Sequence, residues 1–187
     1  MSRDLPAASA ALLRGDADAA FGRVHPPLPD GLAHRLVRLE PVDVLVSAAH
    51  PMASAATVRP SDLAGRELWF PAALGRLDFL RRFCEEFGVR AVSGGANLGV
   101  DHLLAGLRAV PGRVTLFPAD APLPADAGVR AVPLVDPTPL YAWSLMWPRR
   151  SPHPMIPALL RGFAERGRRR RWLEHDPGRD WLPAGPA

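Results

Sequence analysis

Val42-Asp43-Val44-Leu45-Val46-Ser47-Ala48-Ala49-His50-Pro51-Met52-Ala53 is the stretch whose reading decides the fold. Val42 to Ser47 is a short apolar run with period-2 character, which fits a buried strand. Pro51 stops it, because proline cannot donate to a strand ladder. A small-residue segment follows, then Thr57-Val58-Arg59-Pro60-Ser61-Asp62-Leu63-Ala64-Gly65. Ser61 to Leu63 offer an N-cap and the first turn of a short helix that closes at Gly65.

Outward from this stretch the apolar segments alternate in period. Toward the N-terminus, Arg35 to Leu39 alternates as a strand, and Pro41 interrupts it before the next strand begins at Val42. His25 to Gly31 is proline-rich and reads as a loop. Asp16 to Val24 reads as a short strand broken by Gly22, and Ala7 to Leu13 as a helix capped at Asp4 or its neighbour and ended by Gly15. Toward the C-terminus, Glu67 to Phe70 is a brief strand stopped by Pro71. Leu74, Leu77, Leu80, Phe83, Cys84 and Phe87 then recur at helical spacing. Val89 to Ser93 is a strand, and Ser93 to Asn97 a turn-rich link. A second helix carries Val100, Leu103, Leu104 and Leu107 in one stripe, and Val114 to Pro118 is the next strand. Strand, helix, strand, helix, strand over residues 67 to 118 predicts a parallel α/β lobe. Val129 to Leu134 and Leu140 to Trp147 are further strands. A last helix is expected over residues 154 to 171, with Ile156, Leu159, Leu160 and Phe163 inward. Residues 174 to 187 read as a loosely docked tail.

The expected organisation is therefore two small α/β lobes, the second inserted within the first. Residues 1–43 and 122–173 make the first lobe and 44–121 the second. The chain crosses near residues 40 to 46 and returns near 121 to 134.

Composition narrows the function. The 187 residues carry a net charge of +4. All 23 basic side chains are arginine, with no Lys, no Gln and a single Asn, Asn97. That bias is what a GC-rich genome produces, so arginine richness alone does not argue nucleic-acid binding. The local excess, Arg166 and Arg168 to Arg171, sits at a helix C-terminus, where the macrodipole favours cations. The 22 prolines stand above the usual ~5% and punctuate apolar segments rather than marking disorder. No apolar run is long enough for a membrane span and no leader opens the sequence, so a cytoplasmic location is expected. Cys84, the single cysteine, excludes an internal disulfide and suits a small core residue.

No catalytic signature emerges. There is no Gly-x-Ser-x-Gly elbow and no phosphate-cradling loop with its lysine. Ser93 to Gly99 precedes a helix, but its glycine spacing is wrong for a dinucleotide fingerprint. The six histidines neither pair at i,i+4 nor join a cluster with metal spacing. Binding remains. In α/β architectures ligands sit outside the carboxyl ends of the strands. Three places qualify: Gly22-Arg23, Phe70-Pro71, and Gly95-Ala96-Asn97-Leu98, whose free backbone N–H groups could receive a carboxylate. Phe117-Pro118 would add an apolar wall. For each position a structural turn or core role competes with the ligand role.

The order strand, His50-Pro51-Met52-Ala53, spacer, Asp62-Leu63-Ala64-Gly65 resembles the effector-binding domain of LysR-type transcriptional regulators. The pattern Leu13-Arg14-Gly15-Asp16-Ala17-Asp18-Ala19-Ala20-Phe21 resembles the same family, where a helix ends and a small-residue strand runs to the ligand cleft. The resemblance extends to about Arg171. It implies a two-lobed, type II periplasmic-binding-protein-like fold, with the first lobe incomplete because the family's opening strand and helix are not matched. It also implies a small organic effector, often an acid, a homo-oligomer, no cofactor, and DNA contact only through a winged helix-turn-helix that nothing here resembles. Arg23, Phe70, Pro71, Asn97 and Phe117 match its ligand-cleft positions. His50, at the exit of the crossover, is expected to be structural. A stand-alone small-molecule-binding protein, an enzyme recruited onto the same fold, or a secreted solute-binding protein are the competing readings.

Overall fold

The computed structural model describes residues 5–24, 28–73, 77–94 and 98–183. The expectations at Asp4, His25, Leu74, Gly95, Ala96, Asn97 and the end of the tail lie outside them. The described residues divide into two units. The first takes the residues up to Glu40 and Tyr141–His175; the second takes Pro41–Leu140 and Asp176–Pro183.

In the first unit, helix α1 (Leu5–Arg14) leads to a short strand β1 (Ala20–Gly22), as its small residues and Gly15 predict. Ala8 and Leu12 of α1 pack with Val24, Leu32 and Met146 in one apolar cluster. Strand β2 (Leu32–Ser47) starts in this unit. β1 pairs antiparallel with β7 (Thr138–Pro148), Phe21 opposite Leu145. Helix α4 (Ile156–Arg170) ends at Arg171 in a left-handed C-cap. Its expected inward positions divide, with Leu160 and Phe163 half-buried. Ile156 is buried, whereas Leu159 is exposed, and the ring of Phe163 meets Phe21 edge-on at 5.3 Å.

The second unit is the parallel lobe that the alternation predicts. Strands β3 (Glu67–Phe70), β4 (Arg90–Ser93) and β5 (Val114–Pro118) alternate with helices α2 (Asp78–Phe87) and α3 (Val100–Ala109). β3 is parallel to both of its neighbours, with Phe70 opposite Ser93 and Leu68 opposite Val114. The far half of β2 is antiparallel to β5 on one side and to β6 (Val129–Pro133) on the other.

Five sequence expectations need correction. β2 runs unbroken through Pro41, which is exposed and accepts from the Ala119 N–H through its carbonyl. A proline there forfeits only a donor, so the strand persists. On α2 the buried positions are Phe79, Phe83 and Cys84, with Leu80 turned partly outward. Residues 129–133, expected in the first lobe, belong to the second unit because they pair with Asp43 to Ser47. The described part of the tail is not loose. β8 (Asp180–Trp181) pairs with Thr138 and Pro139, and the Trp181 ring stands 5.4 to 5.7 Å from Phe79, Phe83 and Phe87. The short helix expected after Ser61 is a 3-10 turn over Pro60–Leu63.

Candidate functional site

The carboxyl ends of β3, β4 and β5 leave the second unit's sheet at one edge, because the three strands are parallel and in register. The antiparallel β2 brings Val42 and Asp43 to the same edge, opposite Pro118 and Phe117. Two bonds tie the edge together. The Gly94 N–H donates to the Phe70 carbonyl at 2.7 Å, and the Ser93 hydroxyl to the Ala72 carbonyl at 2.8 Å.

The side chains at the predicted positions divide by burial. Phe70, Pro71 and Phe117 are buried. Phe117 joins Leu45, Trp69, Leu104, Leu107 and Ala127 in one core cluster. Both phenylalanine rings thus serve the core, and their residues offer the edge backbone rather than an aromatic wall. Pro118 is half-buried. Leu98, just ahead of α3, is 71% exposed. In the first unit, Gly22 pairs with Ser144 at the end of β1, and the Arg23 side chain that follows is buried.

Three residues escaped the sequence reading. Asp43 is half-buried at the strand-end edge. Burial, and then the nearby Asp120 carboxylate, raises its carboxyl above the ordinary carboxylate range. The signal for it was present, as a lone charge inside Val42 to Val46. Ser93 closes β4 and reaches across to the end of β3. Trp69 lies under α3, its indole N–H buried without a hydrogen-bond partner. Ideal Cβ atoms on Gly94 and Gly106 would come within 1.8 and 2.3 Å of its ring atoms. The Arg113 guanidinium stacks over the other side at 4.3 Å.

Two residues expected to be structural are so. His50 is buried, and its Nδ1 accepts from the Met52 N–H at 3.0 Å, capping the 3-10 turn Pro51–Ser54. Burial, then Arg66, lowers its pKa, so the neutral, accepting form is the favoured one. The buried Cys84 thiol is pushed up to about 11, chiefly by desolvation, which makes it a poor nucleophile. Among the described residues no group of three or more His, Cys, Asp or Glu could hold a metal ion. No helix among them is long and apolar enough to cross a membrane.

Comparison with known proteins gives the family. The model of the LysR substrate binding domain matches residues 2–168. No curated protein sequence matches significantly. Solved structures match at the level of fold. OxyR from Porphyromonas gingivalis is 18% identical with a TM-score of 0.70, covering 98% of this chain and 84% of that one. The BenM effector binding domain, solved with its effector benzoate, is 20% identical with a TM-score of 0.69, covering 97% and 82%. HinK, a LysR family transcriptional regulator from Pseudomonas aeruginosa, is 16% identical with a TM-score of 0.67, covering 89% of this chain. This chain spans 58% of HinK and 57% of a second Pseudomonas aeruginosa chain, the PA01 protein. The fold is the type II periplasmic-binding-protein-like α/β fold of those effector domains. With the family model covering nearly all of its length, the chain belongs to the LysR substrate-binding domain family.

Proposed function

We propose that this chain is the small-molecule-sensing part of a LysR-type transcriptional regulator. Its effector is held at the carboxyl-end edge of β3, β4 and β5. The observation that supports this site is the convergence of three parallel strand ends, one of which leads into the N-terminus of α3. That is where open α/β sheets take ligands. The contacts we assign there are Phe70, Pro71, Gly95, Ala96, Asn97, Leu98, Phe117 and Pro118. Gly22 and Arg23 are assigned as contacts at the strand end of the first unit. The backbone N–H groups ahead of α3 suit a carboxylate or another polar acceptor. A small organic acid, similar in class to the benzoate bound by BenM, is the effector class tried first. Binding would act by biasing a two-state rearrangement in a homo-oligomer. DNA would be contacted by a separate domain, in the cytoplasm.

The test is a thermal-shift and calorimetric screen against small aromatic and aliphatic acids. A ligand at a hundredfold its Kd stabilises the folded state by ~2.7 kcal/mol, a readily measured rise in Tm. Leu98→Asp sits on an exposed position and places a negative charge beside the α3 N-terminus. It should weaken binding of an acid at least tenfold without lowering the Tm of the free protein. Wild-type affinity in Leu98→Asp and Ser93→Ala alike would move the site elsewhere.

A further inference from the structure

The first unit holds a cavity of about 290 Å³ that the strand-end reading does not use. It lies between the first half of β2 and the C-terminal half of α4. Its floor is apolar, built from Val37 on β2 and Leu160 and Phe163 on α4. Arg35 and Arg168 line it as well, and both are exposed.

Two observations set this cavity apart from an ordinary surface groove. The first is charge. The neighbouring guanidiniums are spent: Arg169 pairs with Glu165 at 2.7 Å and Arg171 with Glu174 at 2.5 Å. Among the described residues no carboxylate pairs with Arg35 or Arg168. The Arg171–Glu174 pair also lines the space and is self-neutralising, so the two forked donors of Arg35 and Arg168 leave its lining with a net positive charge. The second is Gly167. It is buried inside α4, where glycine costs about 1 kcal/mol relative to alanine. Its backbone does not require glycine, since an added Cβ would make only ordinary contacts, 3.8 and 3.9 Å from Trp172. A larger residue at this position would instead take up room in the cavity that Gly167 lines.

The Leu39 N–H bonds to the Trp172 carbonyl at 2.8 Å, which ties β2 to the chain just beyond α4. The volume sits at the low end of the ~300–1,000 Å³ usual for ligand sites, so the ligand is small.

We propose that this cavity binds a small amphipathic monocarboxylate, its ring or branched chain on Val37, Leu160 and Phe163 and its carboxylate between Arg35 and Arg168. The site is independent of the strand-end site and of the effector assigned there.

The test uses the full chain and three isosteric probes: cyclohexanecarboxylate, cyclohexylmethanol and cyclohexylmethylamine. Amide spectra recorded during titration locate the binding. The carboxylate should shift Val37, Leu39 and Gly167, and should bind at least tenfold more tightly than the alcohol, with the amine weaker still. Arg35→Gln combined with Arg168→Gln, both at exposed positions, should remove that tenfold preference while leaving the Tm of the free protein unchanged. Gly167→Leu should block all three probes. Equal affinity for carboxylate and alcohol would overturn the proposal, as would a double variant that still prefers the acid. Shifts confined to Ser93, Leu98 and Phe117 would overturn it too, while leaving the strand-end reading intact.

Discussion

Trp69 fits under α3 only because two neighbouring positions carry no side chain. Gly94 faces its Nε1 and Gly106 its outer ring edge, each closer than any real Cβ could stand. Gly94→Ala and Gly106→Ala should each cost ~1–3 kcal/mol through overpacking, measured by denaturant unfolding. Gly112→Ala, which would meet nothing within 4 Å, is the control and should be neutral. The need for these glycines was not legible in the sequence, because it arises from a ring that reaches them only across the folded sheet. The chemistry of Asp43 was legible, as a carboxylate among valines, yet its meaning depends on Asp120 lying close by. His50 could be read as structural from its place before Pro51, and the Nδ1 acceptor gives the mechanism.

At the scale of elements, the parallel unit was legible because its signals are local. Each strand is a short apolar run, each helix an apolar stripe, and proline or glycine separates them. Which face of a helix is inward was less legible. Phe79 rather than Leu80 is buried on α2 because the ring of Trp181 covers it, a contact between residues 102 positions apart. Leu159 is outward for a related reason, as α4 meets β1 through Phe163 instead. The strand-end site was legible as positions but not as side-chain roles, since Phe70 and Phe117 turned out to be spent on the core. Trp181→Ala should cost ~2–4 kcal/mol, since a half-buried ring with three aromatic neighbours is lost. Thermal unfolding measures this. A change under 0.5 kcal/mol would mean the C-terminal strand is decoration.

At the scale of the whole molecule, the buried His50 and the half-buried Asp43 pull the pH dependence of stability in opposite directions. The His50 pKa lies below its ordinary 6.5. Its contribution is therefore fully present above pH 6.5 and is lost as pH falls through the folded value. His50→Asn keeps a capping acceptor but cannot titrate, so it should flatten the stability curve just below pH 6.5. The Asp43 pKa lies above its ordinary 3.8. Its contribution is fully present below pH 3.8 and is lost as pH rises through the folded value. Asp43→Asn should raise the Tm at pH 7, with the gain vanishing near pH 3.8. Melting curves of both variants across pH 3.5 to 8 check the two signs. Flat difference curves would mean that these side chains are solvated in the folded protein, and opposite slopes that their charged forms are the stabilised ones.

The pairing of residues 180 and 181 with residues 138 and 139 also sets a timetable. Trp181 leaves the ribosome about forty residues after Leu140. At ~5–20 residues per second that is a delay of ~2–8 seconds. For that interval Phe79, Phe83 and Phe87 have been made but their cover has not. The nascent chain therefore presents an aromatic patch that a chaperone, or another nascent copy, can reach before its own C-terminal strand arrives.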